Sequence, residues 1–567
     1  MKLRTTLAVA LGLFALLTLL DRFVLIELLI RRAAVPLLVS LAEALAIAGT
    51  GALVRRAKEI DFPLDLLIGY PIFGAAMFLV AALKIATWTL VPLLIVGAVP
   101  AIVLLVRRRF AAIALPPLHW AAVAVVAVLA CAFVAAQAPP SSLDELAYHL
   151  AVPHTWILEG RAIELPLLSH SYFPLGIESA DLLPLTLLGT MDGGVASHFL
   201  HWLAAIATTL LIARRTQSWL ATAAIVTTPA LAITAGWSLV DWPLAGLFVA
   251  LYVALEDDDL DTASAATAAG LLTKYTFLPF ALLAWTFKRR LPKWIAVIGL
   301  IFFARNVILT GNPIAPFLGA DAPHVSGFRA AALSDYVFEG TFVDEAMGAS
   351  LIALPAFAAG TVAIGSAILA IALLLLGPSA RILVPFLIVP SLTAAASLRR
   401  RTIAVLIGAA VVLQTFLVVW FTARGNAFSL MAGTASEDEY LRKQRTSYTT
   451  VEWLNTILPP DSRTLLIGQG ESYWFQRRVR AGGNFDGPRI SRYLDLPTPE
   501  GLRERLRQDG ITHVAIVAVP LATEVAEKKE ERQTTLTPSA QRMLARMLDQ
   551  FAVNVTSHGN ATVFTLR

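Results

Sequence analysis

Charge is what this sequence has least of. Asp, Glu, Lys and Arg make up only 15% of its 567 residues, apolar types make up 57%, and the mean hydropathy is +0.70. A soluble domain carries about 25% charged and about 45–50% apolar residues. The shortage excludes an ordinary soluble enzyme and a disordered chain. Cysteine occurs once, at Cys131 inside an apolar run. That excludes a disulfide within the chain and argues against a thiolate metal site. There is no internal repeat, and the only low-complexity tract is the acidic EDDDLD at 256–261. Gly468-Gln469-Gly470 has neither Walker nor dinucleotide spacing. The net charge of +5 sits in short arginine clusters between apolar runs. Such clusters read as topology signals rather than a nucleic-acid stripe, so no nucleic-acid partner is expected.

What is present is a series of apolar runs, read as a polytopic α-helical membrane protein of about 12–14 spans. Residues 1–20 have a basic start and an apolar core but no small-x-small cleavage site, which predicts a retained first span. Further runs lie at 33–54, 63–84, 86–106 and 118–137, with Arg55-Arg56 and Arg107-Arg108-Arg109 on the cytoplasmic side. Segment 138–192 then falls on the outer face and is too polar to span. Run 194–213 returns inward to Arg214-Arg215. Runs 217–235 and 243–255 form a hairpin tipped by GWSLVDW. A weaker hairpin at 263–287 and a run at 294–309 follow, and then a second polar segment at about 311–349. Runs 350–376, 382–397 and 402–422 complete the membrane part. The positive-inside rule favours splitting 350–376 into two short spans, or making 382–397 re-entrant, so that Arg399-Arg400-Arg401 lie in the cytoplasm.

From about 425 charges become frequent. TLLIGQG, THVAIVAV and ATVFTLR read as strands, and TTVEWLNTIL, GLRERLRQ and SAQRMLARMLDQF as amphipathic helices, together a small α/β domain. The expected organisation is therefore N-terminal membrane helices over 1–115, a membrane module over 116–424, and a soluble extracytoplasmic domain over 425–567.

Charged groups beside a bilayer are costly unless paired, hydrated or used, so their positions are informative. Four clusters map to the outer face. Asp144-Glu145 with Tyr148, His149 and His154 follows a span directly. In a helix over 143–154, Asp144 would share a face with Tyr148, and Glu145 with His149. Partial desolvation would raise the pKa of such a carboxylate and make it a better proton acceptor. An acidic first turn after Ser141-Ser142 explains the same residues as a helix start. Asp241, between Trp237 and Trp242, fits an interfacial aromatic belt or a solvated loop. Lys274-Tyr275 lies inside an apolar hairpin, where a lysine either snorkels or binds a phosphate. Arg305-Asn306 ends a span, where a guanidinium suits a phosphate or anchors the helix. Glu178 can join the first cluster. His198 and His201, three apart, can share a metal or simply pack; His170 and His324 are weaker candidates.

Acids and cations on one membrane face suit chemistry on a lipid phosphate, with the carboxylate taking a proton and the cations holding the departing anion. The ordered series DELAYHLAVPHTWILEGRAIELP, GWSLVDWPLAGLFVALYVAL, LLTKYTFLPF and ARNVILTGNPIAPF resembles bacterial integral-membrane glycosyltransferases of the GT-C superfamily, in particular the family 39-like, protein mannosyltransferase-like group. EYLRKQRTSYTTVEWLNTILPPDSRTLLIGQG resembles the soluble C-terminal part of the same proteins, so the likeness runs over about 138–490. The resemblance implies an enzyme in the plasma (inner) membrane that moves a sugar from a polyprenyl-phosphate donor to an acceptor hydroxyl on the extracytoplasmic face. It implies Asp144 as general base, Glu145 as its neighbour or a metal contact, Lys274 and Arg305 on the donor phosphate, and Asp241 as an outer-loop acid. Tyr148, His149, His154, Glu178 and Tyr275 would line the substrate site. The one cofactor it allows is a divalent cation between Asp144 and Asp241, and two carboxylates alone make a poor site. Four expected spans lie ahead of run 118–137, which delivers the acidic loop, whereas that group has a single span before the loop; this sets the first 115 residues outside the shared fold. The competing readings are a non-enzymatic polyprenyl-phosphate glycolipid carrier and a cell-envelope scaffold.

Overall fold

The structure is a computed structural model and describes residues 24–317, 348–374, 380–483, 486–517 and 536–567. The expected first span at 1–20, His324 and most of the segment 311–349 lie outside the described residues. The chain is a polytopic α-helical membrane protein with a five-stranded sheet near its C-terminus. The helices that position the site are α1 (Val24–Val54), α2 (Phe62–Leu83), α3 (Thr87–Val106), α4 (Ala121–Ala136), α5 (Leu182–Thr216), α6 (Trp219–Val226), α7 (Asp241–Glu256), α8 (Leu260–Thr273), α9 (Ala380–Ala394) and α10 (Arg401–Arg424). By length and composition, six helices among the described residues are able to cross a membrane. A seventh is the pair Trp219–Val226 and Pro229–Gly236, if it is one span bent by 76°. The expected run 350–376 is broken: a helix at Ala349–Ala353 and a 3-10 turn at Leu354–Phe357 are separated by Gly360, at φ +93°, from a helix at Thr361–Leu374.

Local chemistry fixes the helix starts. Asp61 caps α2 by accepting from the Leu64 N–H at 3.4 Å, and Pro63 and Asp65 sit in the first turn, where a missing donor and a negative charge are both favoured. Asp65 is fully buried and is held by Arg55 at 2.7 Å.

Membrane helices gain no hydrophobic drive from lipid and associate through close backbone approach at small residues. A Cβ on Gly69 of α2 would fall 1.8 Å from the Ile47 carbonyl oxygen of α1, and one on Gly74 would fall 1.6 Å from the Gly176 carbonyl oxygen. Ser40 of α1 donates to the Ala196 carbonyl of α5 at 2.7 Å. The N-terminal helices are thus part of the same buried core as the central ones.

One end of the bundle gathers its basic residues. Arg214 pairs with Asp61 at 2.6 Å, Lys293 with Asp261 at 2.6 Å, and Arg399 lines a cavity with Arg215. The arginine clusters at 214–215 and 399–401 therefore share one end. The C-terminal domain sits at the other end, against the polar segment after α4. Its strands are β1 (Arg463–Ile467), β2 (Arg478–Arg480), β3 (His513–Val517), β4 (Ala552–His558) and β5 (Ala561–Leu566). They lie in the order β2-β1-β3-β5-β4, with β1 parallel to β2 and β3, and β5 antiparallel to β3 and β4. Glu159 holds both Arg463 at 2.5 Å and Arg480 at 3.1 Å. Asp486 accepts from the Ser169 N–H at 3.1 Å, and the Leu146 carbonyl accepts from the Ser472 N–H at 2.9 Å. These bonds seat the domain on segment 141–172.

Gly74→Ala must push α2 off the turn that carries Glu178. It is expected to cost about 1–3 kcal/mol, as overpacking does, read as a lowered thermal midpoint of the purified protein. An unchanged midpoint contradicts the packing account.

Candidate functional site

After α4 the chain crosses the end of the bundle and does not form the regular helix expected over 143–154. Glu145–His149 is a π-type turn, closed by the Leu150 N–H on the Glu145 carbonyl at 3.0 Å, and an α-helix follows only at Ala151–Glu159. Such single-turn insertions re-aim side chains and cluster at functional sites. Asp144 and Glu145 diverge here.

Glu145 is fully buried, and donors surround both of its oxygens. Oε1 accepts from the Ser238 N–H at 2.6 Å and from His198 Nε2 at 2.7 Å. Oε2 accepts from the Ser142 N–H at 2.9 Å and the Ser141 N–H at 3.3 Å. Burial pushes its pKa up, but His198 and these N–H groups outweigh that and hold it below its ordinary 4.5. This knot ties the loop before the π turn to α5 and to the tip of the 217–255 hairpin. His198 therefore packs as a partner to Glu145. His201 is bonded internally as well: its Nδ1 lies 2.9 Å from the Leu239 carbonyl oxygen, and its ring meets Tyr70 edge-on. Among the described residues no three His, Cys, Asp or Glu side chains are arranged to hold a metal ion.

Asp144 faces a residue that the sequence did not single out. Arg381, in the first turn of α9, bonds Asp144 Oδ2 through one terminal nitrogen at 2.7 Å, and its other terminal nitrogen lies 3.8 Å from Asp241 Oδ2. The position between the two carboxylates, where a divalent cation was considered, is held by a guanidinium. The expected rise in the Asp144 pKa is corrected. Burial does push it up, but Arg381, His149 and His170 outweigh burial and leave it below 3.8. Asp241 starts α7 and is 5% exposed. Its neighbour Trp242 is not a belt residue: it is 1% exposed and donates to the Leu231 carbonyl at 2.6 Å.

Aromatic and histidine rings close one side. Tyr148 stacks on His170 at 4.4 Å and lies 4.0 Å from His149, whose Nδ1 is 2.8 Å from Glu178 Oε1. Burial keeps the His170 imidazole below its ordinary value, and His170 lies in electrostatic reach of both Asp144 and Lys274. Lys274 leaves the end of α8 in extended conformation, its N–H donating to the Gly270 carbonyl at 3.2 Å, and its side chain makes no hydrogen bond or ion pair among the described residues. Tyr275 donates to the Tyr172 carbonyl at 2.9 Å and accepts from Asn306 Nδ2 at 2.6 Å. Arg305 is partly committed: it donates to the Phe173 carbonyl at 3.2 Å and to Asn306 Oδ1 at 2.9 Å, and stacks over Phe302 at 5.0 Å. His154 stands apart from Asp144, with Nε2 2.8 Å from the Phe475 carbonyl of the C-terminal domain.

The structure thus brings Asp144, Asp241, Tyr148, His149 and Glu178 into one neighbourhood, and Lys274 close to it through His170. It commits Glu145 and His154 to internal bonds. Behind this layer lies a set of buried acids with no role in the sequence reading. Both carboxylate oxygens of Glu43 on α1, both of Asp181, and the Tyr70 hydroxyl have no hydrogen-bond partner among the described residues. Ser197 is near Asp181, but its hydroxyl donates to the Gly193 carbonyl at 3.1 Å.

No protein-family model and no curated protein matches the chain. Solved structures do. ArnT from Cupriavidus metallidurans bound to undecaprenyl phosphate aligns with a TM-score of 0.47 at 13% identity, over 78% of this chain and 96% of that one. Its apo state aligns with a TM-score of 0.47 at 14% identity, over 78% and 97%. The arabinofuranosyltransferase AftD from Mycobacteria aligns with a TM-score of 0.43 at 14% identity, over 80% of this chain and 40% of that one. With TM-scores below 0.5, these likenesses assign no role to any residue here.

Two buried glutamates should respond oppositely to removal. Glu145→Leu leaves His198 and three N–H groups without their acceptor and is expected to cost about 3–5 kcal/mol. Glu43→Leu removes an unpartnered carboxylate and is expected to raise the thermal midpoint. The stabilisation from Glu145 is present above its ordinary pKa and is lost as pH falls through the lowered folded value, so wild type and Glu145→Leu should converge in acid. Equal effects of the two substitutions contradict this assignment.

Proposed function

We propose that the protein is a membrane glycosyltransferase that moves a sugar from a polyprenyl-phosphate donor to an acceptor hydroxyl, with Asp144 as general base. The observation that carries the reading is the single guanidinium of Arg381 set between Asp144 and Asp241. A cation that forks two hydrogen bonds suits a phosphate, and here it lies beside the carboxylate that would take the proton. The ordered sequence motifs support the same chemistry. The gathering of arginines at the far end supports an extracytoplasmic site in the plasma membrane.

In the proposed reaction the acceptor hydroxyl oxygen attacks the anomeric carbon. The bond from that carbon to the phosphate oxygen breaks, its electron pair leaves with the polyprenyl phosphate, and Asp144 takes the hydroxyl proton. Arg381 and Lys274 hold the departing anion, and Tyr148 and His170 offer ring faces to the sugar. Glu145, with its oxygens saturated, positions the π turn and does not touch substrate. Arg305 and Tyr275 hold segment 172–173, and Arg305 supplies the phosphate only through its remaining donors. The donor phosphate draws Arg381 from Asp144, and the carboxylate regains basicity only when the donor is in place.

Purified protein incubated with polyprenyl-phosphate sugars is expected to release free polyprenyl phosphate. Asp144→Asn should lower that release by about 100-fold or more, the range of general-base removal, while still binding the lipid. Arg381→Gln should weaken lipid binding by about 1.5–3 kcal/mol, the worth of a hydrogen bond to a charged group. Full release by Asp144→Asn would overturn the base assignment, whereas loss from the cation variants alone would favour a carrier.

The pH profiles add an independent check. Because the free-site Asp144 is held below 3.8, it stays ionised above about pH 5, and kcat/KM should show no acidic limb from it between about pH 5 and 8. The limb in kcat should lie at higher pH, since the bound phosphate has taken up Arg381. Coincident limbs would contradict the exchange.

A further inference from the structure

A cavity of about 600 Å³ opens at the basic end of the bundle. His198, which holds Glu145, and Thr216, which lines the cavity, are both on α5. Their separation along the helix is roughly 27 Å at 1.5 Å per residue, so the cavity lies on the opposite membrane face from Asp144. Arg215 enters it from the end of α5, and Arg399 from the turn between α9 and α10. Tyr252 of α7, His119, Ser218 and Thr393 complete the polar lining.

Several other cations at this end are spent on carboxylates: Arg214 pairs with Asp61, Arg55 with Asp65, and Lys288 with Glu256. Arg215 and Arg399 have no carboxylate partner among the described residues; Arg215 engages Tyr252, whose ring it overlies at 5.8 Å. Ser218, which caps α6, also lines the cavity. Both arginine side chains are exposed, and they reach one cavity from distant parts of the chain. Leu220, Leu392 and Leu398 add apolar wall to the same cavity, which suits a headgroup that carries acyl chains.

We propose that this cavity is a phosphate-binding site at the face opposite the candidate catalytic site, occupied by the phosphate of an anionic lipid headgroup or by a soluble phosphate ester. The fork of each guanidinium would take phosphate oxygens. The proposal stands or falls independently of glycosyl transfer.

The test is native mass spectrometry of the full chain, released from detergent with equal amounts of dioleoylphosphatidylglycerol and dioleoylphosphatidylcholine. One phosphatidylglycerol should be retained in preference, and R215Q/R399Q should lower its retention by about tenfold or more, the worth of a charge-assisted hydrogen bond. R108Q/R109Q, outside the cavity, should retain it as wild type does. A second arm adds glycerol 3-phosphate. Displacement of the lipid shows that both use one phosphate site, and binding of the ester without the lipid assigns the site to a soluble anion. Equal retention of the two lipids with no binding of the ester overturns the proposal, as does full phosphatidylglycerol retention by R215Q/R399Q. If the double variant does not fold, R399Q alone, at an exposed side chain, carries the same comparison.

Discussion

One guanidinium between two carboxylates organises the site end of this molecule. Arg381 reaches Asp144 at 2.7 Å and Asp241 at 3.8 Å, so one positive charge is opposed by two negative ones. Two desolvated carboxylates side by side would be costly without that charge, and the guanidinium holds them close together. That contact makes the arrangement responsive: a second anion cannot join without sharing the cation, and when the cation is shared the acids change character. In the proposed chemistry, donor binding and base strength are coupled through this contact.

The rest of the fold keeps that contact in place. Asp144 comes from a π turn fixed by the Glu145 knot, Asp241 from the first turn of α7, and Arg381 from the first turn of α9. Glu145 joins two of these, because its donors come from the turn itself, from α5 and from Ser238, three residues before Asp241. The C-terminal domain secures the same segment from outside through Glu159, Leu146 and Asp486. The N-terminal helices secure it from within, where Gly74 lets α2 reach the turn of Glu178. Three regions far apart in the chain thus converge on a few residues after α4.

Much of the fold could be read from composition and period. Apolar runs located most helices to within a few residues, although α5 begins at Leu182, well before the run at 194–213, and short apolar runs in TLLIGQG, THVAIVAV and ATVFTLR located β1, β3 and β5. β4 and β2 escaped because their side chains are mostly exposed and short, with little apolar alternation. The neighbourhood of Asp144, Asp241 and His149 followed from charges placed beside spans. Arg381 did not, because it stands at the joint between two apolar runs and its partners are far away in sequence; a lone arginine beside SARILVPFLIVP was the available signal. Glu43 and Asp181 were missed for the same reason, as single acids inside apolar stretches, although such residues are costly enough to mark. That four donors meet the Glu145 oxygens cannot be read from sequence, since they come from three separate segments.

The most direct measurement is infrared titration of the Asp144 carboxyl, identified by difference against Asp144→Asn, with and without polyprenyl phosphate. The account predicts protonation at clearly higher pH once the lipid is bound, because its phosphate has taken Arg381 away. An Asp144 titration that the lipid leaves unmoved, in protein shown to have bound it, would contradict the account.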